Sequence, residues 1–258
     1  MMQNERKLQY VRPTSEDEVL RLNEEQPGQI KFLAGGTFKP RIEDDKSLLV
    51  DLQDAGLDQV EVNEDGINIG GLTTLKELED AIDSSDFRKA VSMEYGLNVR
   101  NTLSLSNFLA QANGRSPILC CLLGMQPLVF SLNKPEGQPL IDYLRGSSAG
   151  DVVLRLTIPE FQKLTFEAVG RSPKDLPIVC ISAIKRADNK IQVTYCGTVE
   201  VREGFRLSDP DDDGSKQIVQ AFDLSDDPWA TTEYRQAVAP VLLSRVLQKL
   251  EVPGREEE

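Results

Sequence analysis

The chain has 258 residues, length enough for two moderate domains, and its 40% hydrophobic and 28% charged content is ordinary for a globular protein. A formal net charge of −13, with acids dense at DPDDDG and REEE, argues against a duplex-binding surface, which needs clustered Lys and Arg. With no histidine there is no imidazole base and no histidine-ligated metal, and no apolar run approaches the roughly 20 residues that span a bilayer.

The start, MMQNERKLQY, is too polar for a signal peptide, so the expected location is the cytoplasm. Ser15 and Glu18 form a capping box opening a helix that carries Val19 and Leu20. QIKFLAGGT reads as a strand, Gln29 to Leu33, running into a glycine turn, and LLVDL (48–52) as a second strand. VEVNEDGINIGG alternates around Asp65-Gly66, a strong hairpin signal. Thr74 and Glu77 form another capping box, which makes LKELEDAI a helix. A helix over about 84–95, the glycine-free stretch VRNTLSLSNFLAQAN (99–113) and an apolar segment from Ile118 to Leu132 follow.

Near residue 151 the texture changes to strands: VVLRLTI, KLTFEAV, IVCISAIKR and KIQVTYCGTVEV, the last two facing each other across Ala187-Asp188-Asn189. A final helix carries the apolar stripe Val238, Leu242 and Val246, with Pro240 expected near its first turn or at a kink. The terminal VPGREEE is expected to fray. The fold class is α+β, divided into an N-terminal unit, 1–157 (subdomains about 1–55 and 56–157), and a C-terminal α+β unit, 158–258. The four cysteines, Cys120, Cys121, Cys180 and Cys196, contain no CxxC and offer no iron–sulfur spacing, and ILCCLLGM reads as buried free thiols. Redox chemistry in this chain therefore requires a bound organic cofactor.

Ala34-Gly35-Gly36-Thr37 follows a strand and frees backbone N–H groups to face a pyrophosphate, while Gly70-Gly71, with Thr73 and Thr74 behind it, is a second such turn. Neither is a G-x-G-x-x-G fingerprint or a P-loop, and each alone is most often only a turn. Their order carries more: Tyr10 and Pro13, a capped helix, FLAGGT, LVDL, INIGGLTTLKEL, VRN, a long apolar helix, LTIP, F-x-x-x-x-R-x-x-x-D-L, and a terminal YR helix. Over nearly its whole length this resembles the FAD-binding medium subunit of the molybdenum hydroxylases, which includes the flavin subunits of carbon monoxide dehydrogenase and the equivalent domain of xanthine dehydrogenase.

The resemblance implies an N-terminal FAD domain of two α+β subdomains and a C-terminal antiparallel sheet with helices, with FAD between them. It implies an electron-transfer role: electrons arrive from an iron–sulfur partner subunit, a molybdopterin subunit oxidises the substrate, and the flavin passes electrons to an external acceptor. No catalytic residue and no metal are then expected in this chain. Ala34, Gly35, Gly36 and Thr37 match the first pyrophosphate loop, with Phe38 and Lys39 departing from the family pattern beyond it. The second loop falls on Ser104 to Phe108, where Ser106 and Asn107 stand for the family's two glycines and Phe108 for its Asn. Ser104, Ser106 and Asn107 remain expected cofactor contacts. A shift of one residue sets Asn107 against the family Asn instead. Asn113 to Pro117 lacks the acid that the family usually places next. Arg171, Asp175 and Leu176 match R-x-x-x-D-[I/L], which places Asp175 and Leu176 at the flavin, Leu176 near its ring. The competing expectation is a non-catalytic structural subunit with the same fold that has lost the flavin.

Overall fold

The computed structural model describes residues 9–34, 48–146, 151–172, 175–201, 204–207, 214–221 and 226–251. The chain first builds a small parallel sheet. β1 (Gln9–Val11) leads through α1 (Glu16–Glu25) to β2 (Ile30–Leu33), and both strands flank β3 (Leu48–Asp51). Parallel neighbours need such a crossover. The Ser15 hydroxyl caps α1 by accepting the Glu18 N–H. The Glu18 carboxylate accepts the Thr14 N–H instead of that of Ser15, so the expected capping box is only half formed. Val19, Ala34, Leu48, Val50 and Leu52 fill a core between α1 and the sheet.

The hairpin follows. β4 (Val60–Asn63) pairs with β5 (Gly66–Gly70), Asn63 facing Gly66, so Glu64 and Asp65 form the loop and Gly66 takes φ 138°. α2 (Leu75–Ile82) starts at the Thr74–Glu77 capping box, here complete in both directions. α3 (Ser85–Glu94), the short α4 (Leu97–Arg100) and α5 (Leu105–Leu109), and α6 (Pro117–Met125) come next. The apolar segment from 118 is not one long helix. α6 stops at Met125, Gln126 turns left-handed at φ 55°, and the chain continues as β6 (Leu128–Ser131), β7 (Lys134–Pro139) and α7 (Leu140–Arg145). β8 (Val153–Pro159) slots between β5 and β6, closing an antiparallel sheet of order β4-β5-β8-β6-β7.

A second antiparallel sheet holds β9 (Phe161–Val169), β10 (Val179–Arg186), β11 (Ile191–Cys196) and β12 (Phe205–Leu207) in the order β12-β11-β10-β9. The β10–β11 turn places Asn189 at φ 64°. β11 ends earlier than KIQVTYCGTVEV suggests: Gly197 takes φ 142° there, and a Cβ on it would stand 2.0 Å from the Ile178 carbonyl oxygen. α8 (Gly214–Ala221) precedes α9 (Thr232–Glu251), whose Leu242, Leu243 and Val246 pack with Ile181, Ala183 and Val193 of the sheet. Since α9 begins at Thr232, Pro240 lies inside the helix and not in its first turn. All four cysteines are free and buried, as the apolar run around the pair implies. Every residue of α6 is buried, in a core shared by the five-stranded sheet, α2, α3, α5 and the facing side of the four-stranded sheet. The architecture is α+β. Among the described residues no helix is long and apolar enough to cross a membrane.

Candidate functional site

The second loop is built by backbone groups turned inward. Ser104 forms an isolated bridge with Thr74, and its hydroxyl oxygen accepts the Asn107 N–H at 3.4 Å. The N–H of Leu105 donates to the Thr73 carbonyl, that of Ser106 to Gly71 and that of Phe108 to Ser104, at 2.8, 2.8 and 2.9 Å. All four N–H groups from 105 to 108 thus have partners within the fold. The Ser106 hydroxyl oxygen accepts the Val153 N–H at 3.1 Å, and Phe108 lies wholly in the core, edge-on to Tyr95 at 6.3 Å. Gly71 makes this possible: a Cβ there would stand 1.7 Å from the Val153 carbonyl oxygen, and one on Gly70 would stand 2.1 Å from that of Leu57. These glycines serve close packing of backbone on backbone.

Asn107 is the exception in direction. Its side-chain Nδ2 donates to the Ala34 carbonyl at 2.6 Å, across 73 residues of chain. Ala34 directly follows β2, at the carboxyl edge of the parallel sheet, the side on which α/β sheets receive ligands. Of the expected contacts, Ala34 and Asn107 are therefore brought together, with Ser104 and Ser106 on the same loop. Gly35, Gly36 and Thr37, and also Phe38 and Lys39, lie outside the described residues. The Arg100 guanidinium of the VRN match pairs with Glu79 on α2 at 2.5 Å.

Asp175 and Leu176 sit in a different neighbourhood. Asp175 pairs with Arg171 at 3.3 Å at the surface, and Leu176 is half-buried. The Leu176 carbonyl accepts Arg115 Nη2 at 2.8 Å, and the buried Arg115 guanidinium lies 4.1 Å from the centre of the Trp229 ring. Beyond Trp229, Asp227 Oδ2 accepts Arg235 Nη2 at 2.7 Å, and the fully buried Arg235 also donates to the carbonyls of Ala230, Ile178 and Gly197. Burial acts to raise the Asp227 pKa, but Arg235 and the N–H groups of Trp229 and Ala230 outweigh it and hold the carboxyl below its ordinary value. Sequence reasoning passed over Trp229, although it is the only tryptophan of the chain. Glu94, at the end of α3, accepts the Ser116 hydroxyl at 2.6 Å and the Ile118 N–H at 3.3 Å; burial outweighs both and pushes its carboxyl up to about 7.

Among the described residues, cavities of about 300 and 450 Å³ are lined by other residues, among them Leu123, Gln126 and Leu140 in the first and Val62, Ile82 and Phe161 in the second. No group of three or more metal-ligating side chains comes together among the described residues.

Known proteins resemble this chain at low identity. The Escherichia coli (strain K12) protein named "Uncharacterized protein YgfM" is 22% identical over 259 positions, covering 96% of this chain and 98% of that one. In fold, the chain is similar to a chain of reconstituted CO dehydrogenase from Oligotropha carboxidovorans, with TM-score 0.69 and 18% identity. It is also similar to a chain of quinoline 2-oxidoreductase from Pseudomonas putida 86, with TM-score 0.65 and 18% identity. Each likeness covers 94% of this chain and 96% of the other. Residues 6–161, which contain both Ala34 and Asn107, match the model of the FAD binding domain in molybdopterin dehydrogenase, and the chain belongs to that family.

Proposed function

We propose that the chain is the FAD-binding electron-transfer subunit of a molybdenum-hydroxylase-type oxidoreductase complex, acting in the cytoplasm. Its partners are an iron–sulfur subunit, from whose clusters it receives electrons, and a molybdopterin subunit; an external acceptor takes the electrons on. The observation that carries the reading is the contact of Asn107 with Ala34, which closes the two family segments on each other at the carboxyl edge of the parallel sheet.

FAD is the cofactor of the family, and when bound it supplies the capacity to accept and release electrons. The residues present fit it through a reduced set of contacts. By sequence, Ala34-Gly35-Gly36-Thr37 is the first-loop segment of this reading, of which Ala34 lies within the described residues, and Asn107 keeps a second amide hydrogen beyond the one given to Ala34. Ser104 and Ser106 hold the shape of the second loop, and Leu176, beside Asp175, meets the N-terminal unit of this reading where its carbonyl accepts Arg115 Nη2. The inward N–H groups at 105–108 favour the second reading, a structural subunit of the same complex that has lost the flavin.

The test is purification together with co-expressed partner subunits, followed by a visible absorption spectrum and a thermal melt with added FAD. Flavin bands, and a stability gain of about 2.7 kcal/mol at a hundredfold excess over Kd, are the expected result. A colourless complex with no shift, but still containing an iron–sulfur subunit, would select the structural reading. A lone monomer without partners counts against both.

A further inference from the structure

We propose that the cavity at the carboxyl end of α6 binds a small organic carboxylate, with the apolar body of the ligand between α6 and α7 and its charge at Arg186 and Arg206. The cavity of about 300 Å³ is of a size that holds a small molecule, and Leu123, Leu128 and Leu140 give it apolar walls. It lies at the opposite end of α6 from Ser116, where the helix, β6, α7 and the four-stranded sheet meet, so it does not depend on whether FAD binds.

The polar wall has donors to spare. Arg186 Nη1 and Arg206 Nη2 both donate to Gln126 Oε1, at 3.0 and 3.2 Å, which occupies both lone pairs of that oxygen. Gln126 Nε2 in turn donates to Gln192 Oε1 at 3.3 Å. Gln192 is 4% exposed, and one of its two amide hydrogens reaches the Val193 carbonyl at a long 3.5 Å. Acceptors on this wall are largely taken while amide and guanidinium hydrogens are left over, so the matching ligand group is an acceptor. Two guanidinium groups converging on one oxygen make it an anionic acceptor. Gln126 organises the wall: it caps α6 in the left-handed region at φ 55°, where Gly is usual, and a Gly would bring no amide. The acid of the described lining, Asp142 on α7, is exposed, so solvent screens its charge. Asp188, two residues beyond Arg186, pairs with Lys190 at 3.2 Å.

The full chain is titrated by isothermal calorimetry at low salt with benzoate and with its neutral and cationic counterparts, benzamide and benzylamine. Benzoate should bind with a Kd of about a millimolar or tighter, roughly tenfold better than benzamide, with benzylamine weaker still. Arg186→Gln removes one cation and should weaken benzoate roughly tenfold, whereas Asp142→Asn removes the opposing charge and should tighten it roughly twofold. A thermal melt checks that the variants fold, and the exposed Asp142 keeps the test open if Arg186→Gln does not. Equal affinities for benzoate and benzamide, or tighter binding of benzylamine, overturn the anion assignment. A benzoate affinity unchanged in Arg186→Gln, or not raised in Asp142→Asn, overturns the site. No heat and no thermal shift with any of the three probes overturns it as well.

Discussion

The Ser106 hydroxyl oxygen stands 3.1 Å from a buried strand N–H, that of Val153, while the next side chain, Asn107, reaches the opposite way to Ala34. The two substitutions of family glycines therefore have different costs. Ser106→Ala leaves the Val153 N–H without its acceptor in a site closed to water, a penalty of about 1–3 kcal/mol. Asn107→Ala frees a carbonyl at the edge of the core and loses a net contribution of about 1 kcal/mol or less. Urea denaturation of both variants checks the ranking, and an Asn107→Ala chain less stable than Ser106→Ala would contradict these assignments. The sequence shows that both positions depart from glycine, yet it does not show which way each side chain points. That direction is decided by β8, whose Val153 lies 47 residues beyond Ser106. Phe108 is legible in the same partial way: as an amide replaced by an aromatic ring it reads as a lost contact, and the structure shows it filling the core instead.

Local chemistry was the readable part of the elements. LKELEDAI is a helix from Leu75 to Ile82 because its capping box closes over four residues and needs nothing from the rest of the chain. The apolar run from Ile118 was not readable as a helix followed by a strand, because its break depends on the left-handed Gln126 and on β6 finding β8. α6 also carries a pH dependence. Ser116 caps it, Pro117 opens it, and the Glu94 carboxyl lies against its first turn, where a helix terminus favours negative charge. Burial wins, and the carboxyl is pushed from 4.5 up to about 7. The folded chain then holds this proton more tightly than the unfolded one. The stabilisation is complete below about pH 4.5, declines through the window up to about 7, and is gone above it. Glu94 as a residue is only half-buried, so the full shift sets an upper bound of about 3 kcal/mol. Glu94→Gln keeps an acceptor for Ser116 and Ile118 without the charge, and should flatten the fall in urea midpoint across that window. A wild-type midpoint that does not decline there would refute the assignment.

Across the whole molecule, the helical and sheet layers are joined by the buried α6 and by a polar junction at 113–117, 176–178, 197 and 226–235. In that junction Arg115 stacks on Trp229, and Arg235 is held by Asp227 and three carbonyls. The order of motifs disclosed the family, but this junction was hidden, because its members come from separate stretches of the chain, Arg115 and Pro177 being 62 residues apart and Trp229 farther still, and carry no shared motif. A guanidinium with no exposed surface is tolerable only while its charge is matched, and Asp227 is the carboxylate that pairs with it. Asp227→Ala removes that match from a buried cation, which should cost about 3–5 kcal/mol. Asp227→Asn keeps an acceptor for Arg235 and should cost less. Trp229 is the chain's only tryptophan, so its fluorescence reports this junction and no other place. If the junction is integral to the fold, the tryptophan signal and the far-ultraviolet circular dichroism lose structure in one urea transition, displaced to lower concentration in Asp227→Ala. A tryptophan transition well ahead of the circular dichroism would make the junction a separately opening unit. An Asp227→Ala midpoint equal to wild type would mean that Arg235 does not depend on the carboxylate for its place in the core.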